Sequence, residues 1–316
     1  MAELSVKLFS ADGNPVSETE VVSLEWSRDE AAPCDALKLQ LTAEKPLPEL
    51  DRIWLLRDGE MVFSGFCDSQ REVTESGGVR VYVYARSVAC ALVDNEAVPG
   101  TFRQVTADTL FLLYAGALGF RSKLPRLVCS SDYVVNKGTS LYGAVNAFVQ
   151  AMTGKNICVS PQKVLYLPDD ADVTVLPADT LLQEERQIRR AGALSRIDFK
   201  TQEDDGYNHH YLSRTMEEKG IVRTRKVNMA ALPYWQQNAS VQGQLQKAAD
   251  GCYSAVLTVS GCPQAELGGS VRCAALQNDL TGYRIISFTV RADKSGVRTQ
   301  IRLKKPLNLR GITYVA

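Results

Sequence analysis

The sequence has few of the residues and motifs on which enzymes usually depend. Among its 316 residues there are only two histidines, His209 and His210, so little side-chain chemistry titrates near neutral pH. It contains no G-x-S-x-G nucleophile elbow, no G-x-x-x-x-G-K-[ST] phosphate loop and no G-x-G-x-x-G dinucleotide turn. We therefore predict no catalytic residue and no enzymatic activity.

The sequence also lacks a net charge, because 36 Lys and Arg residues balance 36 Asp and Glu residues. Nothing in this balance would draw the chain to nucleic acid or to an anionic membrane surface. Basic clusters at residues 186–190 and 223–226 have acidic neighbours and no nucleic-acid motif, so we interpret them as solvated faces or protein–protein contacts. No apolar run approaches a membrane span and no signal peptide is visible, so we expect folding in the cytoplasm without membrane insertion.

Metal and redox motifs are missing as well. The eight cysteines never form a C-x-x-C pair, and we interpret them as reduced core residues. Asp204 and Asp205 with His209 and His210 could form a loop metal site, but adjacent strand residues point to opposite faces. We favour a solvated loop and predict neither a metal nor a cofactor.

What is present indicates an ordinary globular protein, with 45% hydrophobic and 23% charged residues and a length typical of two or three domains. The first hundred residues read as short antiparallel strands. Residues 36–41 alternate, Asp58 and Gly59 form a hairpin dipeptide, and residues 79–84 place three valines on one face. Such strands close most easily into a small barrel or sandwich.

Two helices are predicted in the middle of the chain. Thr106 caps a helix from Ala107 to about Leu118, and a second helix runs from about Ser140 to Met152, with Gly154 as its stop. With the short strands around them, these helices predict a middle α/β unit.

The last third returns to β structure. We predict a strand at residues 196–200, an exposed polar loop at residues 202–210, a helix at about residues 240–249 and a strand from Tyr253. Residues 286–304 form the clearest hairpin, in which Ile286, Phe288 and Val290 should face the core and the opposite face should be basic.

Two hairpins in the sequence follow the same plan. Residues 62–81 and residues 283–299 each contain a strand, a Ser-Gly turn and a return through Val-Arg on alternating faces. Duplication of a β domain and coincidence between ordinary hairpins both remain possible explanations.

Residues 267–271 (LGGSV), 280–287 (LTGYRIIS) and 293–299 (DKSGVRT) resemble the closing segment of phage late control protein D and related baseplate hub proteins. In that family a proline is usual where this chain has Gly268. The remaining matches, in the family's order, are residues 51–53 (DRI) with 62–68 (VFSGFCD), 138–142 (GTSLY) and 218–222 (EKGIV).

The resemblance implies an α+β, mainly β fold with two similar small β-barrel (tube-like) domains and a middle α/β domain. We expect the first tube-like domain at residues 1–98 and the middle domain at residues 99–168. The second tube-like domain is expected at residues 169–316, with an inserted loop and helix segment at about residues 202–250.

The resemblance further implies a homotrimeric hub that adapts a sixfold tail tube to a threefold central spike, in the baseplate of a contractile phage tail or phage-tail-like particle. The implied partners are the tube protein, the spike protein and other baseplate proteins. Our candidates for the partner-facing surface are Tyr82, Tyr84, Arg298, Arg302 and Lys304. Two alternatives are a tail-associated cell-wall hydrolase and a monomeric surface-binding β module.

Overall fold

The computed structural model describes residues 3–17, 19–130, 132–230, 234–306 and 312–315. The strands are Leu4–Ser10 (β1), Pro15–Val16 (β2), Glu20–Asp29 (β3), Ala36–Ala43 (β4), Leu50–Arg57 (β5), Glu60–Glu75 (β6), Gly78–Ser87 (β7), Gly100–Phe102 (β8), Arg121–Ser122 (β9), Tyr133–Val135 (β10), Cys158–Val159 (β11), Val164–Tyr166 (β12), Val173–Leu176 (β13), Leu181–Ile188 (β14), Arg196–Lys200 (β15), His209–Ser213 (β16), Thr224–Asn228 (β17), Tyr253–Ser260 (β18), Ser270–Cys273 (β19), Arg284–Asp293 (β20), Gly296–Lys304 (β21) and Ile312–Val315 (β22). The helices are Cys90–Val93 (α1), Ala107–Tyr114 (α2), Leu141–Thr153 (α3), Arg214–Glu218 (α4) and Tyr234–Asp250 (α5). The fold is mainly β with helices, as predicted. Within the described parts of the chain, no helix is both long and apolar enough to cross a membrane.

The chain forms two compact units. Unit 1 contains residues 1–183, 258–275 and 285–301. Unit 2 contains residues 184–257, 276–284 and 302–316. The finer division into tube-like domains at 1–98 and 169–316 around a middle domain at 99–168 stays a prediction.

A large sheet dominates unit 1, where its strands follow the order β18-β21-β20-β3-β4-β7-β6-β5-β1-β2. The predicted turn between β5 and β6 has positive φ angles at both Asp58 (50°) and Gly59 (81°), which suits a tight hairpin. On β7, Val79, Val81 and Val83 are buried, so the predicted alternation is confirmed. The side chains on the other face of β7 are half-buried.

The predicted inward face of β20 was wrong at its start. Ile285 and Ser287 are buried where Ile286 was expected, and the buried phase then shifts to Phe288 and Val290. The shift occurs where the strand changes neighbours. Ile285 exchanges backbone hydrogen bonds with the turn at residues 268–269, whereas pairing with β3 begins at Ser287.

The turn at residues 268–269 also explains why this chain has a glycine at position 268, where the family usually has a proline. Gly268 has a φ angle of +84°, and a Cβ there would lie 2.6 Å from Cβ of Pro168. Proline is fixed near a φ of −65°, so the backbone observed here excludes the proline that the family usually carries.

The two predicted helices of the middle segment share one hydrophobic core. Ser140 caps α3 by accepting a hydrogen bond from the Gly143 N–H, and α3 ends at Thr153 with the predicted stop residue Gly154 as its C-cap. The other predicted helix is shorter than expected: α2 ends at Tyr114, because the chain leaves helical geometry at the next residue and continues as a 3-10 turn at Gly116–Leu118. Leu110 of α2 and Phe148 of α3 are buried in this core.

Unit 2 contains a second sheet with the strand order β17-β15-β16-β22. Ile197 and Phe199 of β15 are buried in one core with Val241 and Leu245 of α5. The helix predicted at residues 240–249 therefore exists and is longer than expected. The predicted polar loop at residues 202–210 is present but shorter than expected. It ends at residue 208, because His209 and His210 belong to β16.

Candidate partner-binding surface

The half-buried face of β7 carries the two tyrosines predicted to face a partner. Tyr82 and Tyr84 are both half-buried and lie on the same side of the strand. Arg71 of β6 is paired with Tyr82, and its guanidinium carbon lies 4.2 Å from the centre of the tyrosine ring. This contact packs the Arg71 guanidinium against the Tyr82 ring on a half-buried sheet face.

A row of three charged residues crosses three strands beside Tyr84. Lys38 of β4 is paired with Tyr84, Glu25 of β3 with Lys38, and Arg291 of β20 with Glu25. The Glu25 carboxylate accepts hydrogen bonds from Arg291 Nε at 2.7 Å and from Lys38 Nζ at 3.0 Å. Arg291 and then Lys38 lower the pKa of Glu25. The row gives this face a pattern of alternating charge.

The other three candidates lie elsewhere on the sheet. Arg298 is exposed on the part of β21 that belongs to unit 1. Arg302 is exposed and Lys304 is half-buried, and both belong to unit 2. The structure therefore places Tyr82 and Tyr84 together, while a common contact role for all five residues stays a prediction.

A buried charge cluster in unit 1 was missed by the sequence analysis. The Arg28 side chain is 7% exposed, and its Nε lies 3.4 Å from Oδ1 of Asp35, whose side chain is 9% exposed. Arg28 Nη2 donates a hydrogen bond of 2.6 Å to the Tyr166 hydroxyl, and Nη1 lies 3.5 Å from Glu266. The cluster thus joins β3, β12 and the segment that precedes β19.

Burial controls the ionisation of this cluster. It raises the pKa of Asp35 to about 6, although Arg28 opposes the shift. Burial also disfavours the charged form of Arg28 and so lowers its pKa. The nearby groups Asp35, Tyr166, Cys158 and Glu266 outweigh this effect, and the net result is a raised pKa for Arg28. Arg28 is engaged by Asp35, Tyr166 and Glu266, which suits a structural role better than a catalytic one. The sequence signal that could have identified Arg28 as buried was the alternation of side chains along β3. Arg28 lies on the same face of the strand as Leu24 and Trp26.

The histidines offer no preformed metal centre. In the parts of the chain that the structure describes, no group of three His, Cys, Asp or Glu residues is placed to hold a metal ion. His209 Nε2 lies 3.0 Å from Oδ2 of Asp204, and its Nδ1 contacts the Tyr314 hydroxyl. His210 is paired with Asp198 in the sheet register. His209 is therefore committed to a hydrogen-bonded group at the edge of the polar loop.

The cysteines are not arranged as nucleophiles. All eight are free thiols, and five of them are buried. Burial raises the pKa of Cys34 and Cys158 to about 12 and that of Cys67 to about 11. These thiols stay protonated at neutral pH, which makes them poor nucleophiles.

Solved structures with a similar fold come from tail proteins. No protein-family model and no curated protein matches the sequence. A tail protein from Neisseria meningitidis MC58 is 17% identical, with a TM-score of 0.74 over 95% of this chain and 96% of that chain. The prophage MuSo2 43 kDa tail protein from Shewanella oneidensis is 15% identical, with a TM-score of 0.77 over 96% of this chain and 99% of that chain.

A third similar structure belongs to a secretion machine. The E. coli c3393 protein is a component of the type VI secretion system, with structural similarity to the T4 bacteriophage tail proteins gp27 and gp5. It is 8% identical, with a TM-score of 0.61 over 99% of this chain and 79% of that chain. At these identities the similarity establishes a shared fold.

Proposed function

We propose that this chain is a non-enzymatic structural subunit of a contractile phage tail or of a related phage-tail-like particle. The observation that carries the proposal is the extent of the shared fold. It covers 95–96% of this chain and 96–99% of two tail proteins, so it includes both units and not a single common module.

Within the tail, we assign the chain to the baseplate hub, as a homotrimer that adapts the sixfold tube to the threefold spike. Two features support this assignment. The hairpins β6–β7 and β20–β21 follow one sequence plan, and two similar lobes per chain would give six lobes in a trimer. The similarity of the E. coli protein to gp27 and gp5 links this fold to other tail components. The late control protein D resemblance points the same way.

The hub role implies binding to the tail tube protein, to the central spike protein and to other baseplate proteins, with assembly in the bacterial cytoplasm. The face of β7 that carries Tyr82 and Tyr84 suits such contacts. Tyrosine is enriched in interfaces, because it buries a large rigid ring and keeps a polar group for hydrogen bonding.

Assembly of the purified chain tests the hub assignment. The molar mass would be measured by light scattering for the chain alone and after mixing with the tube and spike proteins encoded in the same tail gene cluster. We expect a species that contains three copies of the 34.7 kDa chain, either alone or in complex with an added partner. A chain that remains monomeric with both partners present would overturn the hub role.

A further inference from the structure

Unit 2 contains a pocket of about 210 Å³ that none of the features above explains. It is lined by Arg186, Lys219, Tyr253, Asp279, Tyr283 and Lys305. These residues come from separate parts of the chain: β14, the residue after α4, the start of β18, the loop before β20 and the residue after β21. Folding of unit 2 is therefore required to create the pocket.

The charges in this pocket favour an anion. Three of the lining side chains are cationic, and Asp279 is the one carboxylate among them. Asp279 is partly committed to its own turn, because its Oδ1 accepts a hydrogen bond of 2.9 Å from the Thr281 N–H. Hydrogen bonds from Thr281 lower the pKa of Asp279 most. The charges of Lys305 and Arg186 lower it further, so the carboxylate interacts electrostatically with both cations. The lining keeps a surplus of positive charge.

Aromatic rings hold the two lysines in place. Lys219 Nζ lies 5.3 Å from the centre of the Tyr253 ring, and Lys305 Nζ lies 5.7 Å from the centre of the Tyr283 ring. The Lys305 N–H also donates a backbone hydrogen bond of 3.0 Å to the Tyr253 carbonyl. Lysines positioned in this way lose less conformational freedom when they bind a ligand than free surface lysines do.

The pocket also contains a buried hydroxyl, that of Tyr283. Tyr283 is 2% exposed, and its hydroxyl is buried with no hydrogen-bond partner among the residues described. A buried polar group without a partner is disfavoured, so such groups usually bind a water or a ligand. Tyr283 lines the pocket, with Lys305 Nζ over its ring, and a hydroxyl can donate to an oxyanion.

We propose that this pocket binds an oxyanion, the carboxylate or phosphate group of a ligand, with charge from Arg186, Lys219 and Lys305 and a buried hydrogen-bond donor from Tyr283. The pocket has room for such a group together with the first atoms of the molecule that carries it. All of these groups belong to one chain, so the isolated protein should bind the oxyanion whether or not it assembles into a tail.

Calorimetric titration of the full-length chain tests the proposal, with sodium phosphate and sodium glutarate as separate probes at constant ionic strength. Binding of phosphate alone would identify a phosphate site, and binding of glutarate would identify a site for carboxylates such as acidic protein side chains. Either result supports the proposal. If neither probe gives more heat than matched sodium chloride, the proposal is wrong.

Variants locate the binding. Lys219→Met and Lys305→Met should each weaken binding by about tenfold or more, because each removes a charge-assisted contact. Lys226→Met is the matched control: Lys226 Nζ lies 5.6 Å from the Tyr207 ring centre in the same unit but outside the pocket. We expect unchanged binding for it. Equal losses in the control and in the pocket variants would contradict the assignment.

Tyr283→Phe separates ligand binding from folding. Since the hydroxyl has no partner among the described residues, its removal should leave the melting temperature unchanged or slightly higher, while binding weakens severalfold. A lower melting temperature with unchanged binding would mean that the hydroxyl has only a structural role, and the proposed donor would be wrong.

Discussion

Arg28 and Asp35 form an ion pair almost completely removed from solvent, with Nε of the arginine 3.4 Å from Oδ1 of the aspartate. Buried pairs of this kind add little net stability, but each partner is costly to bury without the other. The pair also shares its arginine with Tyr166 of β12, so it holds the middle segment against the large sheet. Its loss should therefore affect more than one element.

Replacing Arg28 with methionine should lower the free energy of unfolding at pH 7 by about 3 kcal/mol or more, because Asp35 is left buried and unpaired. Arg52→Met is the matched control, since Arg52 is 63% exposed and pairs with Asp51 at the surface. That variant should lose less than about 1 kcal/mol. Chemical denaturation followed by circular dichroism measures both, and equal losses would contradict the account of the cluster.

Stability should also depend on pH through Asp35. Its pKa is raised by burial from 3.8 to about 6, so the folded protein prefers the protonated carboxyl. The contribution of Asp35 is therefore most favourable below pH 3.8 and is lost as the pH rises to about 6. Relative to Asp35→Asn, the wild-type free energy of unfolding should fall across this range. Parallel curves for the two proteins would show that burial does not shift this group.

The Arg28 cluster shows what the sequence could and could not predict. The alternation of Leu24, Trp26 and Arg28 places the arginine on the buried face, and this much is local information. Its partners Asp35, Tyr166 and Glu266 are 7 to 238 positions away along the chain, and no local pattern pairs them. Long-range charge pairing had to come from the fold.

The stability contributed by the surface row around Glu25 should depend on pH in the opposite direction. Arg291 and Lys38 lower the pKa of Glu25, so its contribution is present above pH 4.5 and lost as the pH falls. Glu25→Gln should cost about 1 kcal/mol at pH 7 and nothing near pH 2, as measured by denaturation. Glu20→Gln is the control on the same strand, because Glu20 forms no ion pair with the described residues. A pH-independent loss in Glu25→Gln would exclude the charge row as its cause.

The β7 surface gives a prediction about assembly. Tyr82→Ala with Tyr84→Ala should leave the circular dichroism spectrum unchanged and weaken association with the tube or spike protein by about tenfold or more. Tyr207→Ala is a control at an exposed tyrosine of the polar loop. Unaltered association of the double variant would remove these residues from the contact surface.

The basic candidates predict a different effect. Arg298→Gln, Arg302→Gln and Lys304→Gln should mainly slow association and reduce its dependence on salt, because exposed charges steer encounter more than they hold a complex. Stopped-flow association measured at several salt concentrations separates this from a loss of affinity. An unchanged salt dependence would identify these three as ordinary solvent-facing residues.

Local signals predicted the regular elements well. Thr106 and Ser140 marked helix starts, and alternation identified the buried valines of β7. The same signals failed at Ile286, because the strand changes its neighbours there and alternation alone cannot show that. The pocket around Tyr283 was also invisible in the sequence, since its lining residues meet only after folding.

Imaging of the intact particle tests the hub assignment most directly. A tail particle carrying a labelled copy of this chain would be imaged by cryo-electron microscopy. We predict three copies in one ring between the end of the tube and the base of the spike. Labels along the tube, labels on the outer sheath, or none on the particle would contradict the assignment.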